Sequence, residues 1–227
     1  MMKKHDCKNC QIKSAAAQHL NDAEFAVLEN NSVEVSFKKG EIIFKQNALS
    51  TNIAYLRCGI VKLHMHGPVS EKILRVMKAP AYLGIPTTFG AKINQFSATA
   101  IEESTVCFID SSLFRDFIYT NGKFAYEIIV ELCKNELADY QRYANQAQKQ
   151  IPGRVAETLL CFSEKIFEKN DFTLPLTRGE MGDLIGTSRE SVSRVLTDLS
   201  GEKIISMNTN EIKILKMDKL KQISEKG

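Results

Sequence analysis

Apolar residues recur along this chain in two rhythms, first as short runs and then at helical spacing. Between Val33 and Ile109 the runs are Val33-Phe37, Ile42-Phe44, Ile53-Leu56, Ile60-Met65, Ile73-Met77, Ser97-Ile101 and Val106-Ile109. Turn-forming residues part them at Lys38-Gly40, Cys58-Gly59, Gly67-Pro68 and Ala91-Gln95. Strands of this length at this spacing predict an antiparallel sandwich or barrel. A short helix over Asn21 to Asn30 leads into it. From Gly122 to about Gln150 the rhythm changes: Phe124, Ile128, Leu132, Leu137, Tyr140 and Ala144 form a stripe at roughly coiled-coil spacing, which predicts one long helix. Pro152-Gly153 then breaks the pattern as a hinge, and a further helix begins over Arg154 to Phe167.

Thr177 to Leu199, TRGEMGDLIGTSRESVSRVLTDL, carries two more helical stripes in quick succession. Met181, Leu184 and Ile185 mark the first; Val192, Val195, Leu196 and Leu199 mark the second. Gly186-Thr187-Ser188 sits between them, a glycine able to close one helix at positive φ and hydroxyls able to cap the next. Thr177 and Glu180 have the spacing of a capping box at the first helix. The second helix leaves Arg189, Glu190, Ser193 and Arg194 outward near its N-terminus. That end of a helix reads bases in the major groove, where arginine forks onto guanine and glutamate accepts from cytosine. Ser188 and Arg178 complete the candidate DNA-contacting set, with Arg178 placed toward phosphate. Lys203 to Ser206 and Ile212 to Leu215 read as two strands around Asn208-Thr209-Asn210, a wing. The simpler alternative is a surface helical hairpin bearing a solvated charge pair.

Composition narrows the setting without naming a partner. The chain has 227 residues, 44% apolar and 25% charged, ordinary values for a globular protein with room for two domains. No apolar run approaches a membrane span, and MMKKHDCKNC lacks the apolar centre of a signal peptide, so a cytoplasmic protein is expected. Six cysteines are then reduced thiols or metal ligands rather than a disulfide frame. Net charge is only +3, and acids balance bases from Gly153 onward. A DNA-binding reading therefore rests on local placement of Arg178, Arg189, Arg194, Lys203 and Lys213.

The order of β-barrel, long helix, hinge and winged module, with GRVAETLL after the hinge and TRGEMGDLIGTSRESVSRVL beyond it, resembles the Crp/Fnr family of bacterial transcription regulators. The resemblance implies an α+β protein in three parts: a cupin-like sensor β-roll over residues 1–121, a dimerisation helix and hinge over 122–152, and a winged helix-turn-helix over 153–227. It further implies a parallel homodimer on a palindromic DNA site, with half-sites about one helical turn apart, and contact with RNA polymerase. By position, Glu190 and Arg194 match the family's readers of the central G·C pair. Arg189 matches the additional guanine reader of cyclic-AMP-receptor-like members, and Ser193 the serine of fumarate–nitrate-regulator-like members. The half-site is accordingly TGTGA-like, TTGAT-like or intermediate.

Four effector chemistries are open for the sensor part. A cyclic nucleotide needs an acid for ribose and an arginine for phosphate. Here Gly84 is followed by Ile85 and Pro86 where the family pattern has Glu-Leu, no arginine lies near Ser97, and Lys92 is the only cation between Lys78 and Arg115. Cyclic AMP is therefore not the expected effector. An iron–sulfur cluster is the second: Cys7 and Cys10 have ligand spacing, and Cys107 matches the distal ligand of oxygen-sensing members. The next family position falls near Ala16, leaving His5 or Asp6 as substitutes; the alternative is that these thiols carry no metal. The third is a cupin-type metal at His64, His66 and Glu71, the basis of a rival reading as a metalloenzyme, against a simple exposed histidine pair. Haem on a histidine or methionine is the fourth, with no motif to mark it. Cys58, Cys133 and Cys161 are read as packing residues.

Overall fold

The computed structural model is described over residues 7–227; His5 and Asp6 lie outside the described residues. Contacts divide the chain into two units, Met1–Ser70 with Leu74–Glu136, and Glu71–Ile73 with Leu137–Gly227.

In the N-terminal part of the chain, α1 (Asp22–Asn30) precedes β1 (Ser32–Phe37), β2 (Ile42–Phe44), β3 (Asn52–Cys58), β4 (Ile60–His66), β5 (Glu71–Lys78) and β6 (Ala81–Leu83). Then come α2 (Ile85–Gly90), β7 (Ser97–Ala100), β8 (Ser104–Asp110), α3 (Ser111–Thr120) and the start of α4 (Gly122–Gln148). Two four-stranded antiparallel sheets form, in the orders β1-β8-β3-β6 and β2-β7-β4-β5. Alternation along β3 explains why its apolar run is unbroken. Ala54 and Leu56 face the second sheet with Val106, meeting Ile43, Val61, Leu63 and Ala98. Ile53 and Tyr55 face the other way with Cys107 and Ile109. That outer face is roofed by Ala16, Leu20, Phe25 and Leu28, by Leu113, Phe114 and Phe117 of α3, and by Phe124 and Ile128 of α4. A strand buried on both sides loses the polar alternation of a half-exposed one.

Helix α4 divides its apolar residues between two faces. Phe124 and Ile128 are buried, and Leu132 packs beside them against the chain's own core. A second row stands in solvent: Tyr126 (64% exposed), Ile129 (57%), Cys133, Leu137 (66%), Tyr140 (58%) and Tyr143 (61%). This corrects the single stripe read from sequence, which ran across both faces. Cys58 and Cys133 are exposed and Cys161 half-buried, so the packing role expected of them fails for the first two.

The second unit contains α5 (Ile151–Cys161), continued by a π-helical turn over Phe162–Phe167, then β9 (Asp171–Thr173), α6 (Arg178–Ile185), α7 (Arg189–Gly201), β10 (Ile205–Asn208), β11 (Glu211–Ile214) and α8 (Met217–Lys226). Pro152 and Gly153 lie in the first turn of α5, where a missing amide is tolerated; the helical break falls before them, at Lys149–Gln150. Val155, Leu159, Phe162, Met181, Val192, Leu196, Ile204, Ile212 and Leu220 make the core. Strand β9 adds a third member to the wing, in the order β10-β11-β9. Among the described residues no helix is long and apolar enough to cross a membrane.

Candidate DNA-reading surface

Helix α6 is fixed at both ends by side chains that its sequence supplies. Thr177 accepts from the Glu180 amide at 3.2 Å while the Glu180 carboxylate accepts from the Thr177 amide at 2.8 Å, closing the capping box. At the other end Gly186 takes φ +71°, and its amide donates to the Gly182 carbonyl at 2.8 Å. Arg154 of α5 donates to the Ile185 carbonyl at 2.7 Å, satisfying the carboxyl end of the helix. The turn returns very close to its own helix: a Cβ on Gly182 would lie 2.6 Å from the Thr187 carbonyl oxygen. The tight angle between α6 and α7 therefore depends on Gly182 as well as Gly186. Helical periodicity does not single out Gly182; the signal it does carry is a glycine four residues before Gly186 on an otherwise amphipathic helix, where space is scarce.

Ser188 caps α7 by accepting from the Ser191 amide at 3.2 Å. Val192, Val195, Leu196 and Leu199 are buried beneath the helix. The opposite face presents Arg189, Glu190 and Arg194 to solvent, with Ser193 half-exposed between them. Hydrogen bonds from its own amide and from Ser188 hold the Glu190 carboxyl below the usual carboxylate range, so it stays an ionised acceptor at neutral pH. One face thus offers two guanidinium forks and a carboxylate, with no apolar residue among them. Arg178 is placed differently. Its guanidinium donates to the Thr209 carbonyl at 2.9 Å and to Asn210 Oδ1 at 3.2 Å, and lies 3.1 Å from Met207 Sδ, all in the wing.

The sensor unit brings some sequence-read residues together and separates others. Cys7, Cys10 and Cys107 line one cavity of about 50 Å³ on the roofed face of the first sheet, with Tyr55, Arg57 and Tyr82. Tyr55 donates to the Ile12 carbonyl at 3.1 Å, and the Tyr82 hydroxyl pairs with Ser14 Oγ at 2.8 Å, pinning the segment that closes the cavity. Burial raises the Cys7 thiol and pushes Cys107 up to about 12, although Arg57 opposes the second shift. Three thiols with no fourth beside them do not make a four-thiolate iron–sulfur site, and among the described residues no group of three His, Cys, Asp or Glu side chains is arranged to hold a metal.

His64 and His66 do not act as a pair. His64 is buried with Nε2 2.8 Å from Thr99 Oγ1, whereas His66 and Glu71 are exposed. The metalloenzyme reading is overturned by this divergence, since shared ligation needs both rings on one ion. The alternative of an exposed pair also fails, because one ring is buried. At the start of α2, directly after β6, the Gly84 carbonyl accepts from the amides and hydroxyls of both Thr87 and Thr88. Lys92 is exposed, and no arginine enters, so the side chains present do not fit a nucleotide phosphate.

Two stretches of the chain match known families. Residues 34–121 match the family model of a cyclic nucleotide-binding domain, and residues 153–223 that of a Crp-like helix-turn-helix domain. The chain is 27% identical over 218 residues to the nitrogen fixation regulation protein FixK of Bradyrhizobium diazoefficiens, spanning 93% of this chain and 90% of that protein. It is 24% identical to the transcriptional activator protein FnrA of Stutzerimonas stutzeri, over 92% of this chain and 88% of the other. The solved structure of FixK2 from Bradyrhizobium japonicum has the same fold, with a TM-score of 0.77 at 18% identity, covering 85% of this chain and 96% of that one.

Proposed function

We infer that the chain works as a transcription regulator of the Crp/Fnr family rather than as an enzyme, and that it does so as a homodimer on a palindromic DNA site. The observation that carries this reading is the polarity of α7: every apolar residue of its stripe is buried, while Arg189, Glu190 and Arg194 are exposed. Arg194 and Glu190 are assigned to a G·C pair, and Arg189 and Ser193 to its neighbours. The exposed row of α4, at spacings close to a heptad, supplies the face for a second copy. Two recognition helices related by a two-fold axis then meet successive major grooves on one side of the duplex. RNA polymerase is assigned as a further partner, which places the protein with the chromosome in the cytoplasm. Its effector is a signal other than cyclic AMP, because the loop that would hold the phosphate has neither acid nor arginine in place.

Binding-site selection followed by titration on the selected duplex tests the reading. Arg194→Ala should cost about 1–3 kcal/mol on that site, relax preference at one G·C pair, and leave binding to random DNA almost unchanged. Equal losses on both DNAs would remove Arg194 from base reading.

A further inference from the structure

We propose that Arg178 is a positioning residue for the wing rather than a phosphate contact, and that it acts on DNA by holding a strained hairpin turn. The inference rests on the reading of α7 and the wing as a DNA surface. Register leaves a two-residue loop, Thr209-Asn210, between the paired residues Asn208 and Glu211. Two-residue hairpin loops demand left-handed backbone, which is why Asn and Gly are preferred there. Thr209 takes φ +54°, a conformation that a β-branched residue resists. Such a residue persists only where its surroundings hold it.

The holding group is Arg178. It occupies the first position of α6, whose start is locked by the Thr177–Glu180 box, so its base does not move. Its guanidinium takes the carbonyl of the strained residue itself and the side chain of the next, while the Asn210 carbonyl accepts from the Leu174 amide at 2.8 Å. One rigid helix end and one strand-flanking amide thus clamp the loop from two sides. The fork that would otherwise reach a phosphate is turned into the wing, with one N–H of each terminal nitrogen committed to the turn. What reaches the DNA backbone on this side is the uncharged tip, Asn208 and Thr209, at an angle that Arg178 sets.

Two substitutions separate the roles. Arg178→Ala should speed amide exchange at residues 208–210 in the free protein. On DNA it should weaken specific and random duplexes alike by about tenfold, the scale of a lost hydrogen bond to a charged group. The salt dependence should stay as steep as in the wild type, because no counterion-releasing contact is lost. Thr209→Gly removes the strain, since glycine accepts positive φ without cost. Combined with Arg178→Ala, it should bring affinity back to that of Thr209→Gly alone. A salt slope flatter by about one unit, with no rescue by glycine, would place Arg178 on a phosphate and overturn the proposal. So would unchanged amide exchange in Arg178→Ala, whether or not the protein binds DNA. If the wild type binds no duplex while exchange at the turn responds as described, it is the DNA reading that fails and the clamp that stands.

Discussion

Leu137→Ala is the sharpest test of the assembly, because Leu137 lies on the outer row of α4 and is largely exposed in the single chain. The substitution removes three carbon groups from each chain, six from a symmetric dimer. At about 0.8 kcal/mol per buried methylene, complete transfer from water would be worth about 5 kcal/mol. Leu137 is 66% exposed in the single chain, so only about two-thirds of that area remains to be covered by a partner, or about 3 kcal/mol. Such a loss weakens the dimer by about two orders of magnitude. Sedimentation equilibrium across a concentration series reads this directly, with Leu132→Ala as its counterpart. Leu132 packs against the chain's own core, so its truncation should lower the melting temperature and leave the dimer constant nearly unchanged. A dimer constant unmoved by Leu137→Ala would mean that this face of α4 is not the seam. If Leu132→Ala alone weakened association, the two faces would be assigned the wrong way round.

Three further outcomes follow from local geometry. Gly182→Ala puts a methyl group 2.6 Å from a backbone carbonyl that cannot swing aside; it should cost about 1–3 kcal/mol in denaturant unfolding, and an unchanged midpoint would show the turn to be looser than described. Cys107, raised by burial from 9.0 to about 12, contributes stability that is complete below pH 9 and is lost as the pH climbs toward 12, because the unfolded chain ionises first. Peptide mapping after iodoacetamide should accordingly find Cys58 modified at pH 8 and Cys107 untouched; early modification of Cys107 would contradict its burial. Cyclic AMP should produce no melting shift, whereas a ligand present at a hundredfold its dissociation constant adds about 2.7 kcal/mol to stability. A saturable rise at micromolar nucleotide would show that backbone amides hold the phosphate.

The DNA-facing half is largely legible in the amino-acid sequence, since its signals are local. Thr177, Glu180, Gly186 and Ser188 each act on neighbours within a few residues, and the buried and exposed sides of α7 separate by periodicity alone. What escapes is whatever depends on distant partners. Strand β6 is three residues long and is defined by its pairing with β3; α3 follows the last strand run directly, its amides capped by Asp110, and is not among the elements the pattern predicts. On α4 the pattern shows which residues are apolar but not which copy of the chain will cover them. Phe124, Ile128 and Leu132 thus merge with Leu137, Tyr140 and Ala144 into one apparent stripe. Alternation places His64 and His66 on one side of a strand without showing that the neighbouring strand offers a hydroxyl to the first and that the second lies in solvent. The three cavity cysteines have the opposite fate: Cys7 and Cys10 are remote from Cys107 in sequence, and only the roof over the first sheet brings them to one cavity.

That roof also sets the order in which the nascent chain can mature. The outer core joins Ala16 and Leu20 to Phe124 and Ile128, so the doubly covered sheet is unfinished until synthesis has passed the first turns of α4. Before that point the strands, α1 and α3 can assemble, yet Phe114 and Phe117 lack the Phe124 ring that packs edge-on against both, leaving a sticky surface for chaperones or neighbouring ribosomes. The long helix is therefore the element that ends this exposure as it leaves the exit tunnel. Its inner side is consumed in closing the sensor unit while the opposite side is still emerging. Nascent subunits would meet only after each has sealed its own barrel, and a pause in translation before residues 124–128 have cleared the tunnel would prolong the exposure.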